Sequence, residues 1–114
     1  NGAGKTTTLG CLTGEIRPPS QGEVFVAGHS VTASGASEAY KHLGNCPQVD
    51  PLFPALSGKL HLIYYGRMKG VPADKAAAVA DALLERLGIE KKDREKNVEK
   101  YSGGMKRRLC VAIA

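Results

Sequence analysis

The chain has 114 residues, a formal net charge of +5, 42% hydrophobic and 24% charged residues, 14 glycines and no tryptophan. A chain of this length buries roughly 65% of its unfolded surface, enough for one modest core, and so many glycines point to tight loops between alternating elements rather than to a helical bundle. No stretch approaches the ~20 uninterrupted apolar residues that span a bilayer, and Cys11, Cys46 and Cys110 are too scattered for a zinc site or a disulfide framework.

NGAGKTTTLG (Asn1–Gly10) is a Gly-rich turn that runs into a helix expected over Lys5–Thr13, with Leu9 and Leu12 inward and Gly14 as its stop. Arg17–Gly22 is turn chemistry, and Glu23–Gly28 reads as a short, largely buried strand. Glu38–His42 predicts a helical turn leading into an apolar strand around Leu43–Cys46. Pro47 ends that ladder and leaves Gln48 on the loop beyond it. Ser57 caps a helix in which Leu60, Ile63, Tyr64 and Arg67/Met68 fall at helical spacing, broken by Gly70-Val71-Pro72. Ala76, Val79, Ala80, Leu83, Leu84 and Leu87 form the clearest amphipathic helix, closed by Gly88. Glu90–Lys100 is a charged connector, Tyr101–Gly104 a turn, and Met105, Leu109, Ala112 and Ile113 repeat at helical spacing to the end. Starting inside a turn and stopping inside a helix, the chain reads as cut at both ends.

The opening supplies most of the pattern G-x-x-x-x-G-K-[ST]. Gly2 and Gly4 allow the backbone to turn successive N–H groups toward a polyphosphate, and a helix starting straight after them aims its free N–H groups at the same anion. Lys5 is placed to bridge the β- and γ-phosphates, the Thr6 hydroxyl to ligate Mg²⁺, and Thr7 to reach the α-phosphate side. Gln48 follows Lys5 by 43 residues, and Ser102-Gly103-Gly104 follows Gln48 by 54 and opens a second helix. Taken singly, the first is an ordinary surface amide and the second an ordinary capped helix start.

Together the three resemble the ATP-binding cassette of ABC transporters, over essentially the whole chain. LGNCPQVDPLFPALS, YYGRMKG and YSGGMKRRL are similar to the A subfamily, whose members typically move lipids and sterols. The resemblance implies an α/β fold: a partial P-loop NTPase domain with a helical subdomain. Residues 1–48 would form a RecA-like ATP-binding core, 49–100 a helical subdomain with its connector, and 101–114 the signature motif and following helix. Asn1, Gly2, Ala3, Gly4, Lys5, Thr6 and Thr7 match the Walker A motif and Gln48 the Q-loop glutamine, with Thr6 and Gln48 the residues that address Mg²⁺ and Gln48 also the attacking water. Ser102, Gly103, Gly104 and Met105 match the signature motif, which closes on the ATP of the partner cassette. The implied cofactors are ATP and Mg²⁺. The implied partners are a second nucleotide-binding domain and transmembrane domains, not nucleic acid, and the implied place is the cytosolic face of a multi-pass membrane transporter.

Two departures from the family pattern stand out. Gly58-Lys59-Leu60 lacks the acid usual at the third helical position, and Tyr101 and Met105 stand where Leu and Gln are commoner, although Met at that position is at home in the A subfamily. The Walker B Asp, the catalytic Glu and the switch His lie beyond the signature helix in this family. His29, His42 and His61 match no switch position, so no catalytic group is assigned within the 114 residues, and these residues alone are expected to show no ATPase activity and to fold poorly. Two other readings stay open. One is a DNA-repair or translation ATPase built on the same cassette, with the basic charge facing nucleic acid. The other is an inactive, regulatory nucleotide-binding module.

Overall fold

The computed structural model of the chain describes residues 2–16, 21–32 and 35–114, which fall into two units, Asn1–Asn45 and Cys46–Ala114. Asn1, residues 17–20 of the expected turn, and residues 33–34 lie outside the described residues.

In the first unit, α1 (Lys5–Thr13) ends as expected at Gly14, which takes φ 75°. Its packed face differs from the one read off the apolar pattern. Ile16 folds back, its N–H donating to Gly10 O at 3.0 Å, and its side chain lies where a Cβ on Gly10 would stand. Gly10 is therefore buried and Leu12 half-buried, while Leu9 is 61% exposed. The segment Glu23–Gly28 is not a buried strand. Only Phe25–Val26 (β1) forms a ladder, antiparallel to His29–Ser30 (β2). Ala27 and Gly28 turn the chain at φ 49° and 82°, the two-residue hairpin geometry whose twist matches that of its strands. This hairpin is the one sheet among the described residues, and Phe25 is exposed. The helical turn expected at Glu38–His42 is realised as α2 (Ala36–Lys41), which packs on the hairpin through the fully buried Ala39. Leu43–Cys46 forms no ladder: an apolar run becomes a strand only where a neighbour takes its N–H and C=O groups.

The second unit is helical. Ser57 Oγ accepts from the Leu60 N–H at 3.2 Å and starts α3 (Gly58–Met68). The helix expected from the spacing of Leu60, Ile63, Tyr64 and Arg67/Met68 is present, but of these apolar residues Ile63 packs against the core while Leu60, Tyr64 and Met68 are exposed, and Gly58, His61 and Leu62 are buried. Hydrogen bonding decides this choice of face. His61 is fully buried because both ring nitrogens are used: Nδ1 donates to Ser57 O at 2.8 Å and Nε2 accepts from the Phe53 N–H at 2.9 Å. A polar side chain satisfied twice is admitted to the interior, and Leu60, Tyr64 and Met68 are left facing outward.

The next helix, α4 (Ala73–Arg86), buries Ala76, Ala80 and Leu84 against α3, with Leu83 and Leu87 partly buried and Val79 exposed. Small residues four apart let α3 approach closely, and this moves the contact line off Val79. The helix stops as Gly88 predicts. Gly88 N–H donates to Glu85 O and Ile89 N–H to Leu84 O, both at 3.0 Å. This is the paired closure that fixes a helix end, sealed by apolar contact between the first residue beyond the turn and the last turn. The charged connector is more ordered than its composition suggests, containing α5 (Lys91–Arg94) and a 3-10 turn at Val98–Lys100. Lys59 Nζ lies 3.0 Å from Asp81 and 3.4 Å from Glu95, tying α3 to α4 and to this connector. Finally, α6 (Gly103–Ile113) buries Leu109 and Cys110, with Met105, Ala112 and Ile113 at the edge of the core.

The two departures from the family pattern meet in this core. Tyr101 is buried, its hydroxyl donates to Asp93 O at 2.9 Å, and its ring and hydroxyl pack against Gly58. A Cβ on Gly58 would overlap that hydroxyl. We predict that Gly58→Ala destabilises the intact cassette by about 2 kcal/mol, from overpacking, and that the cost largely vanishes in a Tyr101→Leu background. Urea denaturation of the four members of this double-mutant cycle measures the coupling; additive effects would refute the pairing.

Candidate nucleotide-phosphate site

Residues 2–7 form a backbone site. Gly2 has φ 88° and Gly4, the residue before α1, φ 78°. Among the described residues no other group approaches the place where a Cβ would stand on either residue, so the sign of φ, and not crowding, calls for glycine. Left-handed residues among ordinary ones make consecutive N–H groups converge on a concave side. Gly2, Ala3, Gly4, Lys5, Thr6 and Thr7 line a hollow of about 300 Å³ there. Among the described residues no side chain caps α1, and its first turn carries no carboxylate. Thr8 is turned away, its Oγ1 donating to Gly4 O at 2.9 Å. Lys5, Thr6 and Thr7 remain exposed. The hollow thus presents unfilled N–H donors, one ammonium and two hydroxyls, a donor set that suits a phosphate chain and leaves a hydroxyl for its cation.

The second helix start is built differently. Ser102 Oγ accepts from the Met105 N–H at 3.2 Å, and Ser102 O from the Lys106 N–H at 3.0 Å. The cap engages the Met105 N–H, and the Met105 side chain packs against the core, so the free edge is made by the exposed Ser102, Gly103 and Gly104. The first turn of α6 holds no carboxylate either. By contrast α2, α4 and α5 each carry one, Glu38, Asp74 and Asp93, and the start of α3 is capped by Ser57 and covered at Gly58 by Tyr101.

Gln48 is exposed on a bend of the second unit. Its surroundings contain groups that sequence reasoning missed. Arg107, read as part of a solvated basic run, donates through Nη1 to Pro47 O and through Nη2 to Cys46 O, the latter at 3.5 Å. Its Nη1 also lies 3.5 Å from Asp50 Oδ1. Burial, and then a hydrogen bond to Asp50, push the Cys110 thiol up from the ordinary 9.0 to about 12. The neighbouring Arg108 donates to Leu87 O and closes the end of α4. A spacing signal for these contacts existed only in part: Arg107 and Cys110 are three apart and share a face of α6, but nothing in the sequence says which loop that face meets.

The chain matches the family described as ABC transporter over residues 1–114. It belongs to the ABC transporter family. Among curated relatives, the cassette is 46% identical over 114 residues to the human phospholipid-transporting ATPase ABCA7, covering 100% of this chain and 5% of that protein. It is 44% identical over 115 residues to ABC transporter A family member 9 of Arabidopsis thaliana, covering 100% of this chain and 12% of that protein. With the human retinal-specific phospholipid-transporting ATPase ABCA4 the identity is 42% over 114 residues, again 100% of this chain and 5% of the relative. A solved ATP-binding subunit of an ABC transporter superposes with a TM-score of 0.78 at 23% identity, over 100% of this chain and 46% of that one. The family and this superposition place the fold as a partial P-loop NTPase domain of the α/β class, and the A-subfamily resemblance read from the motifs holds across the curated relatives. The chain spans 5 to 12% of the length of these relatives.

The cassette's buried thiol gives a pH test. Its ionisation is raised in the fold, so its stabilising contribution is complete below pH 9.0 and is lost as pH climbs toward about 12, the unfolded thiol ionising first. At pH 8 the folded chain should hold about a thousandfold less Cys110 thiolate than the unfolded chain. Peptide mapping after iodoacetamide treatment should show Cys110 modified in urea and spared in buffer. Equal rates would contradict the burial.

Proposed function

We propose that the chain is the ATP-binding part of an A-subfamily ABC transporter, in which ATP binding and hydrolysis power the movement of a lipid across a membrane. The observation that carries this reading is the hollow at residues 2–7, with two left-handed glycines, an uncapped helix start and an exposed lysine. Family membership supports it, and lipid as cargo rests on relatives named as phospholipid-transporting ATPases.

In this reading Asn1 to Thr7 are the cofactor-binding residues. The N–H groups of Gly2 to Thr7 hold the phosphate oxygens, Lys5 balances the charge that develops on the terminal phosphate, and the Thr6 hydroxyl is a ligand for Mg²⁺. The metal, when bound, withdraws charge from the phosphate oxygens. Gln48 is assigned through its family motif to the metal and the attacking water. Ser102, Gly103 and Gly104 offer their open edge to the nucleotide of a second cassette. Residues 1–48, 49–100 and 101–114 then correspond to ATP-binding core, helical subdomain and signature segment. No described helix is long and apolar enough to cross a membrane. The spanning domains are assigned to other parts of the transporter, and this cassette to their cytosolic side.

Removing Lys5 tests the reading. One charge-assisted hydrogen bond to a phosphate contributes roughly 1.5–3 kcal/mol, so Lys5→Ala in the intact transporter should weaken Mg·ATP binding by about tenfold to hundredfold and abolish turnover. Titration calorimetry and phosphate release check the two effects, and wild-type values for both would falsify the assignment.

A further inference from the structure

Gln48 sits in a stretch, residues 43–47 and the bend after them, with neither helix nor strand to hold it. Its anchors come from α6. The Arg107 guanidinium grips the carbonyls of Cys46 and Pro47 on one side of Gln48 and faces the Asp50 carboxylate on the other. One turn further along the same face lies the buried Cys110. Asp50 Oδ1 is buried and makes no hydrogen bond among the described residues, so the facing guanidinium is what offsets its charge. Three residues before Arg107, α6 carries Gly104 of the signature motif. One planar cation therefore spans both flanks of Gln48 from the helix that begins with Ser102-Gly103-Gly104.

We propose that Arg107 is a positioning residue for Gln48, joining its loop to the signature helix so that the two motifs move as one body. This rests on the roles given above to Gln48 and to the signature motif. Arginine suits the task because its donors diverge in a rigid plane and reach two carbonyls and a carboxylate together, which the single ammonium of lysine does not. The side chain is about half exposed, so its loss opens no cavity in the core and an effect on turnover is separable from an effect on folding.

The test is made in the intact transporter with Arg107→Met, which keeps the stem and removes the fork, and Arg107→Lys, which keeps the charge. Arg107→Met is expected to lower kcat about tenfold, the scale of a misplaced positioning group, with KM for ATP within about twofold because residues 2–7 are untouched. Amide hydrogen exchange in residues 46–50 is expected to quicken while α4 keeps its protection. Arg107→Lys should fall between Met and wild type in both readouts. An unchanged kcat, a loss confined to KM, or unchanged exchange in residues 46–50 overturns the proposal. So does a loss of protection that spreads equally into α4, since that marks a merely structural role. Normal Mg·ATP binding in Lys5→Ala would instead overturn the nucleotide reading and leave the link between Arg107 and the loop to be judged on exchange alone.

Discussion

The helical unit is organised around the hydroxyl of Tyr101. It donates to the Asp93 carbonyl in the connector, while the hydroxyl end of the ring fills the space left by the missing side chain of Gly58 at the start of α3. A buried hydroxyl left without a partner costs more than a hydrogen bond contributes, so the Asp93 carbonyl has to be in place. The consequences run outward from this point. The start of α3 is fixed, His61 is brought under the loop at Phe53, and the residue directly before Ser102 is held in the core. The signature motif is exposed and glycine-rich, yet it starts from one of the best anchored side chains of the unit.

What the sequence discloses and what it withholds follow from the range of the interactions. Helix ends are local, so Ser57, Gly14 and Gly88 act where their residue types predict. Backbone-built sites are also local, and the glycine pattern at residues 2–7 can be read directly. The face of a helix is a tertiary matter. The spacing of Leu60, Ile63, Tyr64 and Met68 marks a helix, but nothing local says that His61 goes inside by finding two partners eight and four residues back along the chain. Leu9 loses to Gly10 because Ile16 folds over the latter. Strands are the least local of all. Leu43–Cys46 has the composition of a strand and no ladder, and Glu23–Gly28 keeps two paired residues. The contacts of Arg107 with Cys46, Pro47 and Asp50 cross some 60 residues of sequence, which is why a basic run read as solvated turns out to hold a loop.

Charge in the second unit is used mostly for joining. Lys59 bridges Asp81 and Glu95, and its ammonium is held above the ordinary lysine value by the hydrogen bond to Asp81, against some desolvation. Arg94 lies 3.9 Å from the same Asp81 and donates to Ile89 O. Arg108 closes the end of α4. Exposed pairs of this kind contribute little each, and their part is to select register among helices whose apolar surface is small. The net positive balance of the chain thus gives little support to a nucleic-acid surface, since several of its cations are engaged at helix junctions.

The starts of α1 and α6 differ from those of α2, α4 and α5 in carrying no acidic side chain. The attraction they exert comes largely from aligned peptide dipoles, and peptide groups do not titrate. Acidifying the medium leaves that pull in place, whereas dissolved salt damps it over about 8 Å at physiological ionic strength. The chain thereby keeps two anion-seeking ends whose strength follows ionic strength far more than proton concentration.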